Sequence, residues 1–303
     1  MSARAPLALG DIRMRDPFVL EAEPGAFVLF GTTDVNVWGG EATGFDCYTS
    51  DDLVHWNGPV AAFRPPEEFW SRSQFWAPEV YARAGRWFMI ATFLSAITGT
   101  RGIAVLAADA PTGPYAEWSA GPVTPADEPS LDGTLFVDDG GTPWLVYSRG
   151  AEGADAVGEM RALRLSGDLR SAVGAPQALF QATDAAWPRP LELPAEARAA
   201  LGLAESPVLS DGPFLRRAVD GSLLMLWSSH SEAGYAMGLA RSASGDVLGP
   251  WNHDPEPLEA HNGGHGMLLI ASSGDDLVVF HHPNDSPRER PRIVPAARLG
   301  LTA

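Results

Sequence analysis

Five times along the chain, one polar residue stands just ahead of a β-hairpin pattern. The segments are Arg15-Asp16-Pro17-Phe18, Ala77-Pro78-Glu79-Val80, Leu131-Asp132-Gly133-Thr134, Ser210-Asp211-Gly212-Pro213 and Gly264-His265-Gly266-Met267. Each is followed by apolar and β-favouring residues, then a Gly-bearing turn, then a strongly apolar strand. The turns are Pro24-Gly25, Ala84-Gly85, Gly140-Gly141, Asp220-Gly221 and Gly274-Asp275, and the second strands are predicted over 26–32, 87–93, 143–148, 223–228 and 276–281. Repeats set around one axis bring equivalent positions together there. Asp16, Glu79, Asp132, Asp211 and His265 are therefore expected at one end of the axis, and carboxylates crowded in this way point to catalysis.

The five polar positions are separated by 63, 53, 79 and 54 residues, which suits propeller blades of about 40 to 50 residues with loop insertions. Third strands are legible over 44–50, 102–108, 160–166 and 235–242. The predicted class is all-β, a five-bladed β-propeller forming a single catalytic domain over residues 1–303. The last blade is short of strands, and 293–299 with a stretch near 7–12 is expected to complete it and protect its edges. The 26 prolines and 32 glycines supply turns, and a hydrophobic content of 45% can fill the interfaces between blades. The segment 182–203 reads as a helical or irregular insertion, most helix-like at Pro194-Ala195-Glu196-Ala197-Arg198.

A formal net charge of −17 argues against nucleic acid and anionic membrane surfaces as partners, since both are bound through positive fields. The dense basic cluster Arg288-Glu289-Arg290-Pro291-Arg292 contains its own Glu and reads as a solvated turn. A single cysteine, Cys47, excludes an intramolecular disulfide and a Cys-based zinc site. No apolar run approaches the roughly 18 residues that cross a bilayer. Residues 1–11 lack the apolar centre of a secretory signal, so a cytoplasmic location is expected.

Taken in order, Arg15-Asp16-Pro17, Phe75-Trp76-Ala77-Pro78-Glu79-Val80, Leu131-Asp132-Gly133-Thr134, Asp211-Gly212-Pro213-Phe214 and Gly264-His265-Gly266-Met267 resemble glycoside hydrolase family 43. These are five-bladed propellers acting mostly on arabinose- and xylose-containing glycans. The similarity covers essentially the whole chain and includes Gly113-Pro114-Tyr115 and Gly249-Pro250-Trp251 at blade ends. The resemblance implies Asp16 as general base and Asp132 as the carboxylate that tunes and orients the acid. Asp211 then stands where the family usually has a glutamate as general acid. An arginine of the last blade clamps substrate or acid in many relatives, which points to Arg290. Arabinan-degrading members hold calcium or a similar ion on the axis through a histidine, which His265 would match.

The chemistry can also be built from the residues. Glycoside hydrolysis needs a carboxylic acid at the leaving oxygen and a carboxylate on the opposite side of the sugar; a gap of about 6.5 to 9.5 Å admits a water and gives inversion. A third carboxylate raises the pKa of the acid by like-charge repulsion. Aspartates on three blades can meet these needs through architecture rather than local spacing. Asp211 is one carbon shorter than Glu, roughly 1.5 Å, and a misplacement of about 1 Å can cost on the order of a hundredfold in rate. Either backbone or substrate lies closer, or the acid is weak, or Glu205 or Glu232 substitutes.

Other candidates have two or more readings. Trp76 is a sugar-stacking platform or a core residue. Glu79 is a ligand of sugar hydroxyls or a partner of buried backbone. His265 is a core histidine, a substrate contact or the ligand of an axial ion. The chemistry requires no cofactor; a structural Ca2+ on the axis would rest on His265 alone, and a hard cation prefers oxygen ligands. His281-His282 ends an apolar strand, whose alternation sends the two rings to opposite faces. The leading expectation is an inverting glycosidase of the α-L-arabinofuranosidase or β-xylosidase type, with an oligosaccharide or glycoside substrate from plant-type glycans. A β-galactofuranosidase or galactanase on the same fold and a non-catalytic carbohydrate-binding propeller are the alternatives.

Overall fold

The computed structural model describes residues 5–151, 156–200 and 202–301. Its strands form five antiparallel sheets that follow one another along the chain as the blades of a propeller. Blade one consists of Arg15–Glu23, Ala26–Thr32, Phe45–Ser50 and His55–Phe63, and blade two of Ser71–Arg83, Arg86–Ser95, Arg101–Ala108 and Ala116–Glu117. Blade three is Ser130–Val137, Pro143–Arg149, Glu159–Arg164 and Gln177–Gln181, and blade four Asp211–Arg217, Leu223–Ser231, Gly234–Ser242 and Asn252–His253. Blade five has Gly264–Ile270, Asp276–His282 and Arg290–Pro295. All five hairpins fall where alternation and turn residues placed them.

The second strand of each blade reads as an unbroken apolar run because both of its faces are covered by neighbouring blades. Phe88, Ile90 and Val105 of blade two meet Leu135, Leu145 and Tyr147 of blade three. Val146 and Met160 share a cluster with Met225 and Trp227, and Leu226 and Leu239 share one with Leu268 and Val278. Between blades one and two the filling is aromatic, with Phe75 and Phe93 edge to face at 4.8 Å and Phe45 and Phe63 beside them.

Ring closure differs from the expectation. Residues Leu7–Ala8 do not complete blade five; Leu7 pairs with Trp56 at the outer edge of blade one. There Leu7 and Leu9 pack on the cluster containing Trp56 and Phe63, apolar cover that holds the segment on blade one. The ends of the ring meet through other contacts: Met14 N–H donates to the Glu289 carbonyl at 3.3 Å and Arg290 Nε to the Gly10 carbonyl at 3.1 Å. The turn around Glu289 is consequently not simply solvated, since the Glu289 carboxylate is fully buried and accepts from Arg15 Nη1 at 3.1 Å. Chain 296–299, expected as strand, is a single 3-10 turn. The insertion carries one short helix, Ala195–Ala200, close to its expected place. Among the described residues no helix is long and apolar enough to cross a membrane.

Candidate active site

Near the start of each blade the backbone turns left-handed, at Asp16 (φ 51°), Ala77 (46°), Asp132 (57°), Gly212 (47°) and His265 (52°), with Gln74 (53°) a second such residue in blade two. Each lies in a bulge, where the register against the second strand slips. These five are the equivalent positions. Ala77 therefore takes the place expected for Glu79, and Gly212 that expected for Asp211. Non-glycine residues in this region cost on the order of 1–3 kcal/mol each, so something must hold them.

The turned N–H groups are satisfied from the preceding blade around the ring. Ala77 N–H donates to Thr32 Oγ1 at 2.9 Å, Asp132 N–H to Thr92 Oγ1 at 2.8 Å and His265 N–H to Ser228 Oγ at 2.8 Å. Asp16 N–H reaches His281 Nδ1 at 3.2 Å, and Gly212 N–H reaches Asp132 Oδ2 at 3.3 Å. Thr32, Thr92, Ser228 and His281 have no solvent exposure. The result is a ring of hydrogen bonds linking the blades. At Gly212 a Cβ would stand 2.7 Å from the His265 ring, so glycine is required for this close approach.

The ring presents three carboxyls in different electrostatic settings. Asp16 accepts from Thr32 Oγ1 at 2.6 Å and faces His265 Nδ1 at 3.2 Å. Burial opposes its ionisation, but His265, Arg15 and the Thr32 hydroxyl together hold its pKa below the usual carboxylate value. For Asp132, burial and then the Asp16 charge push the pKa up to about 7. For Asp211, burial and then the charge of Asp132 push it well above the ordinary range, and its carboxyl is hydrogen-bonded to Asp132. Tyr235 donates to Asp211 Oδ2 at 3.0 Å. Asp132 and Asp211 thus titrate as a pair sharing a proton, while Asp16 stays charged.

His281 completes the support. Burial drives its pKa down to about 3, so it is neutral; Nδ1 accepts from Asp16 N–H and Nε2 donates to Asn284 Oδ1 at 3.2 Å. Its ring stacks on Tyr235 at 5.6 Å. His281 is buried and His282 partly exposed, as alternation required.

The carboxyls open into a cavity of about 470 Å³, whose lining also includes His265 and Trp76. Trp76 and Trp38 meet edge to face at 5.7 Å, and Trp76 Nε1 donates to the Val37 carbonyl at 2.7 Å. Arg15 lies 5.2 Å over the Trp38 ring and Arg101 5.3 Å over the Trp76 ring. Trp76, Asp16, Asp132, Asp211 and His265 are thus brought together as expected.

Two other candidates are not on the cavity wall. Glu79, two residues past the bulge, is buried with its carboxyl bonded to Tyr81 and Thr134, and burial pushes its pKa up to about 8. Its expected role as a ligand of sugar hydroxyls gives way to that of a neutral buried group. Arg290 turns to the carbonyls of Gly10, Pro287 and Glu289; the cations at the cavity are Arg15 and Arg101. Glu205 and Glu232 are exposed and do not line the cavity. Among the described residues, no group of three or more His, Cys, Asp or Glu side chains is placed to hold a metal. Of the loop 151–158, residues 152–155 lie outside the described residues; Ala151 lines the cavity.

Sequence reasoning missed Arg15, Arg101, Trp38 and the part played by the insertion, whose leucines form one wall. Arg15 carried a signal, standing next to Asp16 in the first blade-start segment. Thr32, Thr92 and Ser228 carried another, being polar residues inside otherwise apolar strands.

The architecture is shared with solved structures. An endo-arabinase from Bacteroides thetaiotaomicron VPI-5482 is 34% identical, with a TM-score of 0.84 over 96% of this chain and 97% of that one. A thermostable family-43 glycoside hydrolase is 23% identical, TM-score 0.74, over 92% of this chain and 88% of that one. An endo-1,4-β-xylanase, also from B. thetaiotaomicron VPI-5482, is 23% identical, TM-score 0.71, over 94% and 90%. No curated protein matches the chain. The family model for glycosyl hydrolases family 43 matches residues 8–297. With that match spanning nearly the whole chain, and with the five blades and clustered carboxyls it accounts for, the protein belongs to glycosyl hydrolases family 43.

Proposed function

We propose that the protein hydrolyses α-L-arabinofuranosyl bonds with inversion at the anomeric carbon. The observation that carries this reading is the opposite displacement of two carboxyl pKa values in one cavity, Asp16 downward and Asp211 upward. Asp16, ionised, takes a proton from the attacking water. Asp211, protonated, gives one to the leaving oxygen. Asp132 keeps that proton on Asp211 by its charge and orients it through their hydrogen bond. Trp76 and Trp38 offer ring faces to the sugar, and Arg15 and Arg101 offer donors to its hydroxyls.

Arabinose is preferred to xylose because the 34% identical structure bears the name endo-arabinase. Carboxyls handle both proton transfers, Asp16 as acceptor and Asp211 as donor, so the proposed chemistry draws on no cofactor; a cation bound through His265 would be structural. The test is a panel of 4-nitrophenyl α-L-arabinofuranoside, β-D-xyloside and β-D-galactofuranoside. The arabinofuranoside should be cleaved fastest. A preference for the galactofuranoside would replace this reading, and no cleavage of any member would favour a carbohydrate-binding propeller.

A further inference from the structure

Two features of the cavity bear on which leaving group it accepts. The first is a wall. Leu191, Leu193, Leu203, Pro207 and Leu209 line the cavity from the insertion and the chain that follows it, and among the described residues this stretch contributes only apolar side chains ahead of Ser210. Its backbone is tied down: Leu191 N–H donates to the Pro207 carbonyl at 2.8 Å, Leu203 N–H to the Arg198 carbonyl at 2.9 Å, and Ser229 Oγ to the Leu209 carbonyl at 2.6 Å. The stretch runs directly into Asp211, so the wall is continuous with the residue read above as the acid, which serves the leaving oxygen.

The second feature is the acid. It is an aspartate, with its carboxyl engaged by Tyr235 and Asp132. A saccharide in the leaving position would press hydroxyls against aliphatic side chains and leave them unpaired. Its alkoxide would also need nearly complete protonation by a short acid. An aromatic leaving group reverses both conditions, because it buries apolar area against the leucines and departs as a phenol that needs less help from the acid.

We propose that the leaving-group side of this site takes an aromatic, apolar aglycone, so that the substrates are aryl arabinofuranosides rather than internal links of a polysaccharide. The inference rests on the arabinofuranosidase reading above. In the reaction the water oxygen bonds to the anomeric carbon as the bond from that carbon to the phenolic oxygen breaks. Asp16 receives the water proton and Asp211 protonates the departing oxygen. Free arabinose and a phenol result, and one proton passed from Asp16 to solvent and one taken up by Asp211 restore the enzyme.

The test compares kcat/KM of the full chain on phenyl α-L-arabinofuranoside, 4-phenylphenyl α-L-arabinofuranoside and arabinobiose. The two phenols are of similar acidity, so their ratio reads the wall rather than the leaving group. Burial of part of the added ring should favour the 4-phenylphenyl compound about tenfold, with arabinobiose slowest. Leu191→Asn and Leu193→Asn should each bring the ratio of the two aryl glycosides towards one, whereas Leu191→Met should retain it. A ratio near one in the unmodified protein overturns the inference, as does arabinobiose cleaved as fast as the 4-phenylphenyl compound. Asn variants that lose both aryl activities equally also overturn it. Hydrolysis of none of the three overturns the arabinofuranosidase reading together with this inference, whereas hydrolysis without the preference overturns the inference alone.

Discussion

Replacing Asp132 by asparagine preserves the shape of the side chain and removes one negative charge beside Asp211. The two carboxyls are hydrogen-bonded, so a charge separation of about 4 Å is a cautious figure; at an effective dielectric of about 20 the interaction is about 4 kcal/mol. Losing it should lower the pKa of Asp211. Burial and the Asp16 charge remain in the variant, so Asp211 stays raised, but less. The assay is the pH dependence of kcat/KM on an arabinofuranoside with a poor leaving group. Its alkaline limb reports the acid that must be protonated and should move clearly to lower pH. The acidic limb, set by Asp16, should move little. An aryl glycoside with a good leaving group should respond much less. A uniform loss at every pH with both limbs unmoved would refute the reasoning, because Asp132 would then act by contact with substrate and not by its charge.

Asp16→Asn should lower turnover by orders of magnitude without unfolding the ring, and proton NMR of the first-formed sugar from the unmodified enzyme should show inverted configuration; retention would remove the base role from Asp16. Asp211→Ala should damage cleavage of poor leaving groups far more than that of activated aryl glycosides, and equal loss on both would place the acid elsewhere. Asp211→Glu should also lower activity, because the longer side chain must leave its present contacts with Tyr235 and Asp132. Glu79 has its pKa raised from 4.5 to about 8, so the folded state holds a proton that the unfolded chain releases. The associated stability is complete below about pH 4.5 and is lost as pH rises to about 8, on the order of 3 kcal/mol by pH 7. Glu79→Gln should therefore raise the urea midpoint at pH 7 and flatten its pH dependence; an unchanged pH dependence would sink the assignment.

Strand positions were legible because their causes are local. Alternation, Gly-bearing turns and apolar second strands act within a few residues, so the strands Ala26–Thr32, Arg86–Ser95 and Leu223–Ser231 were written in composition and order. The convergence of Asp16, Asp132, Asp211 and His265 was legible for a related reason, since repeats around an axis must bring their equivalent ends together. Glu79 went astray by two residues, as the bulge at Ala77 leaves no sequence signal: four of the five equivalent left-handed positions are occupied by residues other than glycine.

Contacts between distant segments were decided only in three dimensions. Arg15 owes its place at the cavity to Glu289, 274 residues away, and nothing near Arg290 in the chain shows that it turns to Gly10 instead. The leucine wall depends on how an insertion with little regular structure folds back on itself and over the ring, through bonds such as Leu191 N–H to the Pro207 carbonyl that join residues far apart in the segment. The proton distribution is tertiary for the same reason. Asp16, Asp132 and Asp211 are the same chemical group, each at the start of a blade, and sequence alone cannot say which is charged. That depends on burial and on which charge each one faces, and both are set where the blades close on the axis.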